Sequence, residues 1–426
     1  MKTTFFSLLL LLVWLPFAGA TDSLGIEQVR QLAVQNSPLQ QKKLLAESVS
    51  ALQTRNIRSN NLPRVSVGAQ ASWQTDVFGL PIESPLFRVP EVPKDQYKLN
   101  VDVAQRIWDG NSDQYARRQR NLESQVTAAQ TDVDVFQVRE VVTDLFFKVL
   151  LLNESERILE ATRGDLNARL KQAQAAVAGG VALRTTADQL QIQIWKTEQQ
   201  LEAVRADRNT LLDILAAWIG RPQVDFGLVA PAMPPVNTPA GPELIDTRPE
   251  FKLIKLQQQA QVLQADALNL RRQPRVEAFV QGGLGSPNPL NFFETDFQPF
   301  AIIGLRAAWT PIDWGNTRRE RQVLSLQQNL LDAQAQSIRL RLDAQIRRDR
   351  GEIAKADAQL RQDEEIIRLQ EDIVKRAEAQ VQNGVMTATD YLAQINILTQ
   401  ARLTRATHQI QARQAREMLD AHFGAN

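Results

Sequence analysis

Apolar residues return at every seventh position in two long tracts of the chain. Val138, Leu145, Leu152, Leu159, Leu166 and Ala173 make the first series, and Ile346, Ile353, Leu360, Ile367, Val374 and Val381 the second. A sustained seven-residue period winds neighbouring helices into a left-handed supercoil, although an ordinary bundle core can carry shorter runs of the same kind. The pattern predicts helices from about Ser112 to Ala178 and from about Thr317 to Gln382. Each holds roughly 66 residues, or about 100 Å at 1.5 Å per residue. Gly179-Gly180-Val181 and Asn383-Gly384-Val385 break them, and returning helices follow over Leu183–Ile219 and Thr387–Phe423. Shorter helices, Ile26–Asn60 and Glu243–Arg272, stand upstream. With the strands they form one order of elements, written twice. Laid end to end, the short helices of each half match the long one, so a column of two beside one long helix is the simplest packing.

A second period, of two, marks four strands. Val65, Val67, Ala69, Ala71 and Trp73 alternate with small or polar residues, as do Tyr97, Leu99, Val101 and Val103. Val276, Ala278, Val280 and Leu284 face away from Glu277 and Gln281, and Ile303, Leu305, Ala307 and Trp309 form a weaker fourth series. Strands of about ten residues, apolar on one face and polar on the other, suit a membrane β-barrel. A soluble sheet with one buried face has the same pattern. Trp73, Trp108, Trp309 and Trp314 lie at or near strand ends, where membrane-interface aromatics belong. Lys98, Asp102, Arg106, Glu277 and Arg306 would face a water-filled lumen. Four strands cannot close in lipid, because each unpaired backbone group there costs several kcal/mol. The subunit therefore has to oligomerise.

The duplication is explicit in short strings. Leu62-Pro63-Arg64-Val65 recurs as Gln273-Pro274-Arg275-Val276, and Trp108-Asp109-Gly110-Asn111 as Trp314-Gly315-Asn316. The copies stand roughly 205 to 211 residues apart. The expected organisation is a signal peptide at 1–20, a first repeat at 21–220, a Pro-rich connector at 221–242 and a second repeat at 243–426. The loops Thr75–Gln96 and Ser286–Asp296 would be extracellular turns.

Composition narrows the compartment. Lys2, the apolar run Leu8–Leu15 and Ala18-Gly19-Ala20 form a secretory leader, cleaved before Thr21. Cysteine is absent, which excludes disulfides, thiol catalysis and an acylated N-terminal cysteine. The formal net charge of +1 implies no nucleic-acid partner.

At this point the chain resembles the TolC family of outer-membrane factors, the outer-membrane efflux proteins. The residues that carry the resemblance are Leu24-Gly25-Ile26-Glu27-Gln28 to Asn36-Ser37-Pro38, Leu62-Pro63, Gly110 and Gly315, Arg248-Pro249-Glu250, and Gly384 followed by Asp390. The resemblance implies a mainly α fold with a small β part: a coiled-coil helical barrel plus four transmembrane strands per subunit. Three copies would make a 12-stranded β-barrel. It also implies an outer-membrane location with a large periplasmic part, contact with outer-membrane lipid, a periplasmic adaptor (membrane fusion protein) and an inner-membrane pump. Efflux and type I secretion use the same kind of duct. The periplasmic gate would form around Gly180, Thr186, Gly384 and Asp390. Asp390 matches one position of the family's acidic ring, but its companion is Ala393, and a helix N-terminal acid is an equally good reading.

No catalytic constellation, cofactor motif or metal-ligand set is visible. His408 and His422 are expected at the surface or in a collar. Gly282-Gly283-Leu284-Gly285 is expected at a strand end or turn, and the acids Glu364-Glu365 and Glu371-Asp372 on a solvated face. The alternative to a duct is a soluble periplasmic coiled-coil scaffold or adaptor.

Overall fold

The computed structural model describes residues 22–78, 92–222, 226–232, 247–292 and 294–422. The leader, most of the loop 75–96 and most of the connector 221–242 lie outside the described residues.

The elements run β1 (Asp22–Leu24), α1 (Ile26–Asn36), α2 (Leu39–Ser59), β2 (Arg64–Trp73), β3 (Asp95–Trp108), α3 (Ser112–Ala178) and α4 (Arg184–Ile219). They continue with β4 (Phe226–Leu228), α5 (Pro249–Ala267), a 3-10 turn (Leu268–Arg272), β5 (Arg275–Ser286), β6 (Gln298–Ala308), α6 (Asn316–Gln382) and α7 (Ala388–His422). The long helices α3 and α6 have 67 residues each, within a residue of their expected limits. The helix expected over Ile26–Asn60 is two helices. Pro38 disfavours helical backbone at the residue before it, and Ser37 is extended (φ −68°, ψ 134°). The helix expected from Glu243 is described from Pro249, whose ring suits the first helical position, and it tightens into the 3-10 turn before β5.

Contacts divide the chain into two compact units, and each draws on both halves of the sequence. One comprises Met1–Pro38, Val135–Leu244 and Leu342–Asn426. Its core holds Val142, Phe146, Phe147 and Val149 of α3, all fully buried, with the two phenyl rings edge to face at 5.5 Å. Farther along, Leu166 and Leu170 pack with Leu190 and Ile194 of α4, Val374 and Ala377 of α6, and Leu392 and Ile395 of α7. The seven-residue seams therefore point inward, as their period requires. Asn36, just before the break, donates to the carbonyls of Ala217 (3.3 Å) and Trp218 (3.1 Å) near the end of α4. Strands β1 and β4 form a short parallel pair that carries no periodic signal in the sequence.

The second unit comprises Leu39–Asp134 and Ile245–Arg341. It contains one antiparallel sheet of order β2-β3-β5-β6. Its helical core is small: Ala129 and Val133 of α3 pack on Leu253 of α5. Buried Arg248 is held by Glu250 at 2.7 and 3.1 Å across Pro249. Helix α2 has no buried residue, and Leu44, Leu45, Val49 and Leu52 stand exposed.

Candidate duct-lining sheet face and helix tips

Residues directly opposite one another in an antiparallel sheet share a face. The register puts Val65 opposite Val103, Val67 opposite Val101 and Ala69 opposite Leu99. It then puts Leu99 opposite Leu284 and Val103 opposite Val280, and Val280 opposite Ile303. One face of all four strands is thus apolar, and it is bare: Val67 is 72% exposed and Ile303 82%.

The other face collects the five charged residues expected to line a lumen. Asp102 lies opposite Gln281, and Glu277 opposite both Arg106 and Arg306. Gln281 donates to Asp102 at 2.5 Å and accepts from Lys98 at 3.4 Å, and Asn100 also donates to Asp102. Arg306 pairs with Glu277 at 3.3 Å and lies 4.9 Å over the Phe279 ring, while Lys98 lies 5.2 Å over Phe300. Gly304 leaves room for Phe279, whose ring would stand 3.0 Å from a Cβ there. The Gly282–Gly285 cluster lies within the last stretch of β5 and forms no turn. A Cβ on Gly283 would come within 2.0 Å of the Leu99 carbonyl.

The expected interface tryptophans sit at the strand ends. Trp73 closes β2 on the apolar face. Trp108 ends β3 after an irregularity at Ile107 that turns it to the same face, opposite Val276. Trp309 follows β6 and donates from Nε1 to the Arg272 carbonyl at 2.9 Å. Trp314 lies in the turn before α6, 87% exposed.

At the far ends of the long helices the two tips share one construction. Val181 N–H donates to the Ala176 carbonyl and Gly180 N–H to that of Val177; Val385 and Gly384 bond Gln380 and Val381 in the same way. These are Schellman caps, which need a left-handed residue after the helix. Gly180 (φ +74°) and Gly384 (φ +69°) supply it. Val181, Leu183 and Val385 project from the tips, each more than 70% exposed. Asp390 is exposed and stands in the first turn of α7, bonded to the N-cap residue Thr387. The Thr387 hydroxyl donates to the Asp390 carboxylate at 2.6 Å, and the Asp390 N–H reaches back to that hydroxyl at 3.2 Å.

Just behind the tips is a cleft of about 320 Å³ lined by Thr186, Leu190, Arg169, Glu378 and Tyr391. Arg169 grips Glu378 through two bonds, 2.6 and 3.2 Å, and its guanidinium lies 4.9 Å over the Tyr391 ring. Burial pushes the Tyr391 hydroxyl up to about 12. This three-helix clasp had no signal in the sequence beyond the charges themselves.

His422 is buried and His408 half-buried, where the sequence suggested a surface or collar position. His422 Nδ1 is 2.7 Å from Asp349, and His408 Nδ1 is 2.6 Å from Asp363. Gln370 donates to Gln394 at 3.0 Å. Asp349, Asp363 and Gln370 stand three residues after seam positions, so they point into the α6–α7 contact instead of to water. Asp357 is gripped there by Arg416 at 2.7 and 2.8 Å. Glu364 and Glu371 do lie on the exposed side, paired with Arg405 and Arg402.

No protein-family model matches the chain, and no curated protein sequence matches it. Solved structures do. The outer membrane protein VceC of Vibrio cholerae aligns over 94% of this chain and 96% of its own, at 14% identity and a TM-score of 0.67. CusC aligns over 94% and 92% (12% identity, TM-score 0.70). The open-state MtrE outer membrane channel of Neisseria gonorrhoeae aligns over 94% and 89% (16%, 0.65). The chain has the fold of these outer-membrane channel proteins along nearly its whole length.

Proposed function

We propose that this chain is one subunit of an outer-membrane efflux duct: a passive, gated passage with its strands in the membrane and its helices in the periplasm. The observation that carries this is the sheet. It has one bare apolar face, one face with a charged network, and two edge strands, β2 and β6, without partners among the described residues. In water such a face invites aggregation. In lipid it is satisfied, provided β2 of one copy pairs with β6 of the next, which removes both edges. With three copies the wall has 12 strands, and the polar faces meet around water.

In this reading the duplicated element order gives each subunit two helical hairpins, and the tips at Gly180 and Gly384 face the inner membrane. Thr186 and Asp390 stand near the aperture. Exposed Val181, Leu183 and Val385 offer a periplasmic adaptor its grip, and the adaptor links the duct to an energy-coupled inner-membrane pump. Opening swings the α6–α7 hairpin against α3 and breaks the Arg169–Glu378–Tyr391 clasp, a two-state packing change. Drug, ion and polypeptide cargo would all use the same passage.

Cysteine pairs placed on β2 and β6 test the reading, since the chain has no cysteine of its own. Oxidation in whole cells should give closed, heat-resistant oligomers in the outer-membrane fraction. A protein recovered only as soluble monomer, with no cross-link at any register, would falsify it and favour a periplasmic scaffold.

A further inference from the structure

The turns that lead from sheet to long helix have matching geometry but different residues. Asp109 accepts from the N–H groups of Asn111 and Asp113, both at 2.8 Å; Asp313 accepts from those of Gly315 and Thr317, both at 3.0 Å. Aligned on these caps, the left-handed pair Gly110 (φ +65°) and Asn111 (φ +67°) corresponds to Trp314 (φ +53°) and Gly315 (φ +79°). The string match had set Trp314 against Trp108; the backbone sets it against Gly110. A bulky residue with positive φ is a conformational outlier, and such strain points to a use for the side chain. Trp314 gains little inside the chain in return, because its ring stands in solvent.

Beside it is a cavity of about 610 Å³ lined by Arg272, Arg318, Arg321, Ile312 and Asn269. All three arginines are exposed. Arg321 donates to Asn269, and Arg318 has no ion pair among the described residues. The single carboxylate there, Asp313, is committed to capping α6, and the Thr317 hydroxyl bonded to it keeps it ionised below the usual range. The cavity therefore carries an excess of positive charge.

We propose that Trp314 and the guanidinium groups of Arg272, Arg318 and Arg321 form a site for the phosphate of an anionic phospholipid in the periplasmic leaflet. This rests on the duct reading, which sets the helix end of the sheet at that leaflet. Indole rings settle at the headgroup level, and guanidinium forks match phosphate oxygens. The strained turn holds the ring out toward the bilayer, and the arginines wait on the phosphate side of it. In the first half, a side chain at Gly110 would meet Gln273 at 2.9 Å, so that turn offers no counterpart.

The test uses the full-length protein in vesicles of phosphatidylethanolamine with graded phosphatidylglycerol. Flotation reports insertion, and native mass spectrometry reports the lipid retained. The wild type should float and keep phosphatidylglycerol preferentially. Arg318→Gln with Arg321→Gln should lower that preference roughly tenfold. Trp314→Gly should also lower it while raising the melting temperature, because it relieves the backbone; a purely structural tryptophan would not separate the two. Unchanged retention in both variants overturns the proposal. So does displacement by inorganic phosphate without any phosphatidylglycerol preference, which marks a free-anion site. Loss of the oligomer in either variant marks a subunit contact and overturns it too. Failure of the wild type to float instead overturns the duct reading on which the site depends.

Discussion

If the duct gates as proposed, Arg169→Ala should favour its open state. The side chain makes two charge-assisted bonds to Glu378 and lies over the Tyr391 ring. Arg169 is 22% exposed and Glu378 33%, so solvent weakens the pair without cancelling it. A coupling of about 1 kcal/mol is reasonable for such a pair, and the cation–π contact adds ~0.5–1 kcal/mol. Removing the arginine therefore shifts the open–closed balance by about 2 kcal/mol per subunit, or ~30-fold. If three subunits open together, the effects sum to roughly 6 kcal/mol, enough to convert a closed population into an open one. The assay is single-channel conductance in planar bilayers, with uptake of a bulky antibiotic by cells as the second readout. Glu378→Ala should behave similarly, and the double variant should add little, since both act through one contact. Single variants that assemble normally yet conduct like the wild type would refute the clasp.

Asp390→Ala removes the carboxylate that the Thr387 hydroxyl bonds but keeps the backbone N–H bond to that hydroxyl, so it should fray the start of α7 by only about 0.5 kcal/mol, read by amide exchange. If Asp390 also lines the aperture, cation preference falls in the same variant; unchanged selectivity leaves it as a cap alone. Gly283→Ala should abolish assembly, because the new methyl group collides with the Leu99 carbonyl; heat-resistant oligomers of normal yield would contradict the β3–β5 register. Burial pushes the Glu417 carboxyl above its usual range, against the pull of Arg30. The folded protein then holds that proton more tightly than the unfolded chain. The stabilisation is complete below the unfolded pKa and is lost as pH rises through the folded one. Glu417→Gln should therefore gain on the wild type as pH climbs from about 4.5 toward neutrality, and parallel melting curves would argue against it.

Much of this was legible where a period runs long enough to fix phase. The alternation in β2 and β3 set which residues share a face, and the register then gathered Lys98, Asp102, Arg106, Glu277 and Arg306 as expected. The seams fixed α3 and α6 because a 67-residue helix offers many repeats and a glycine at its end. Ser37-Pro38 is equally legible, and a proline there disfavours one continuous helix. Strands of three residues, like β1 and β4, have no period to find. The histidine–aspartate pairs escape the pattern for a different reason. Asp349, Ala356, Asp363, Gln370 and Ala377 are also spaced by seven, but a search for apolar residues passes over a stripe of acids, amides and alanines. Trp314 was aligned by identity of letters, whereas the hydrogen bonds of Asp109 and Asp313 define the true correspondence.

That stripe has a mechanical meaning. Isoleucine, leucine and valine along the α6 seam are nearly interchangeable, so a slip of one heptad would cost the apolar contact little. The same slip would carry His408 and His422 away from both carboxylates and strand Asp349 and Asp363 in a dry contact, at several kcal/mol in all. The polar pairs work as a vernier that forbids sliding. In the proposed opening the last two helices would therefore travel as one stiff lever, tilted whole.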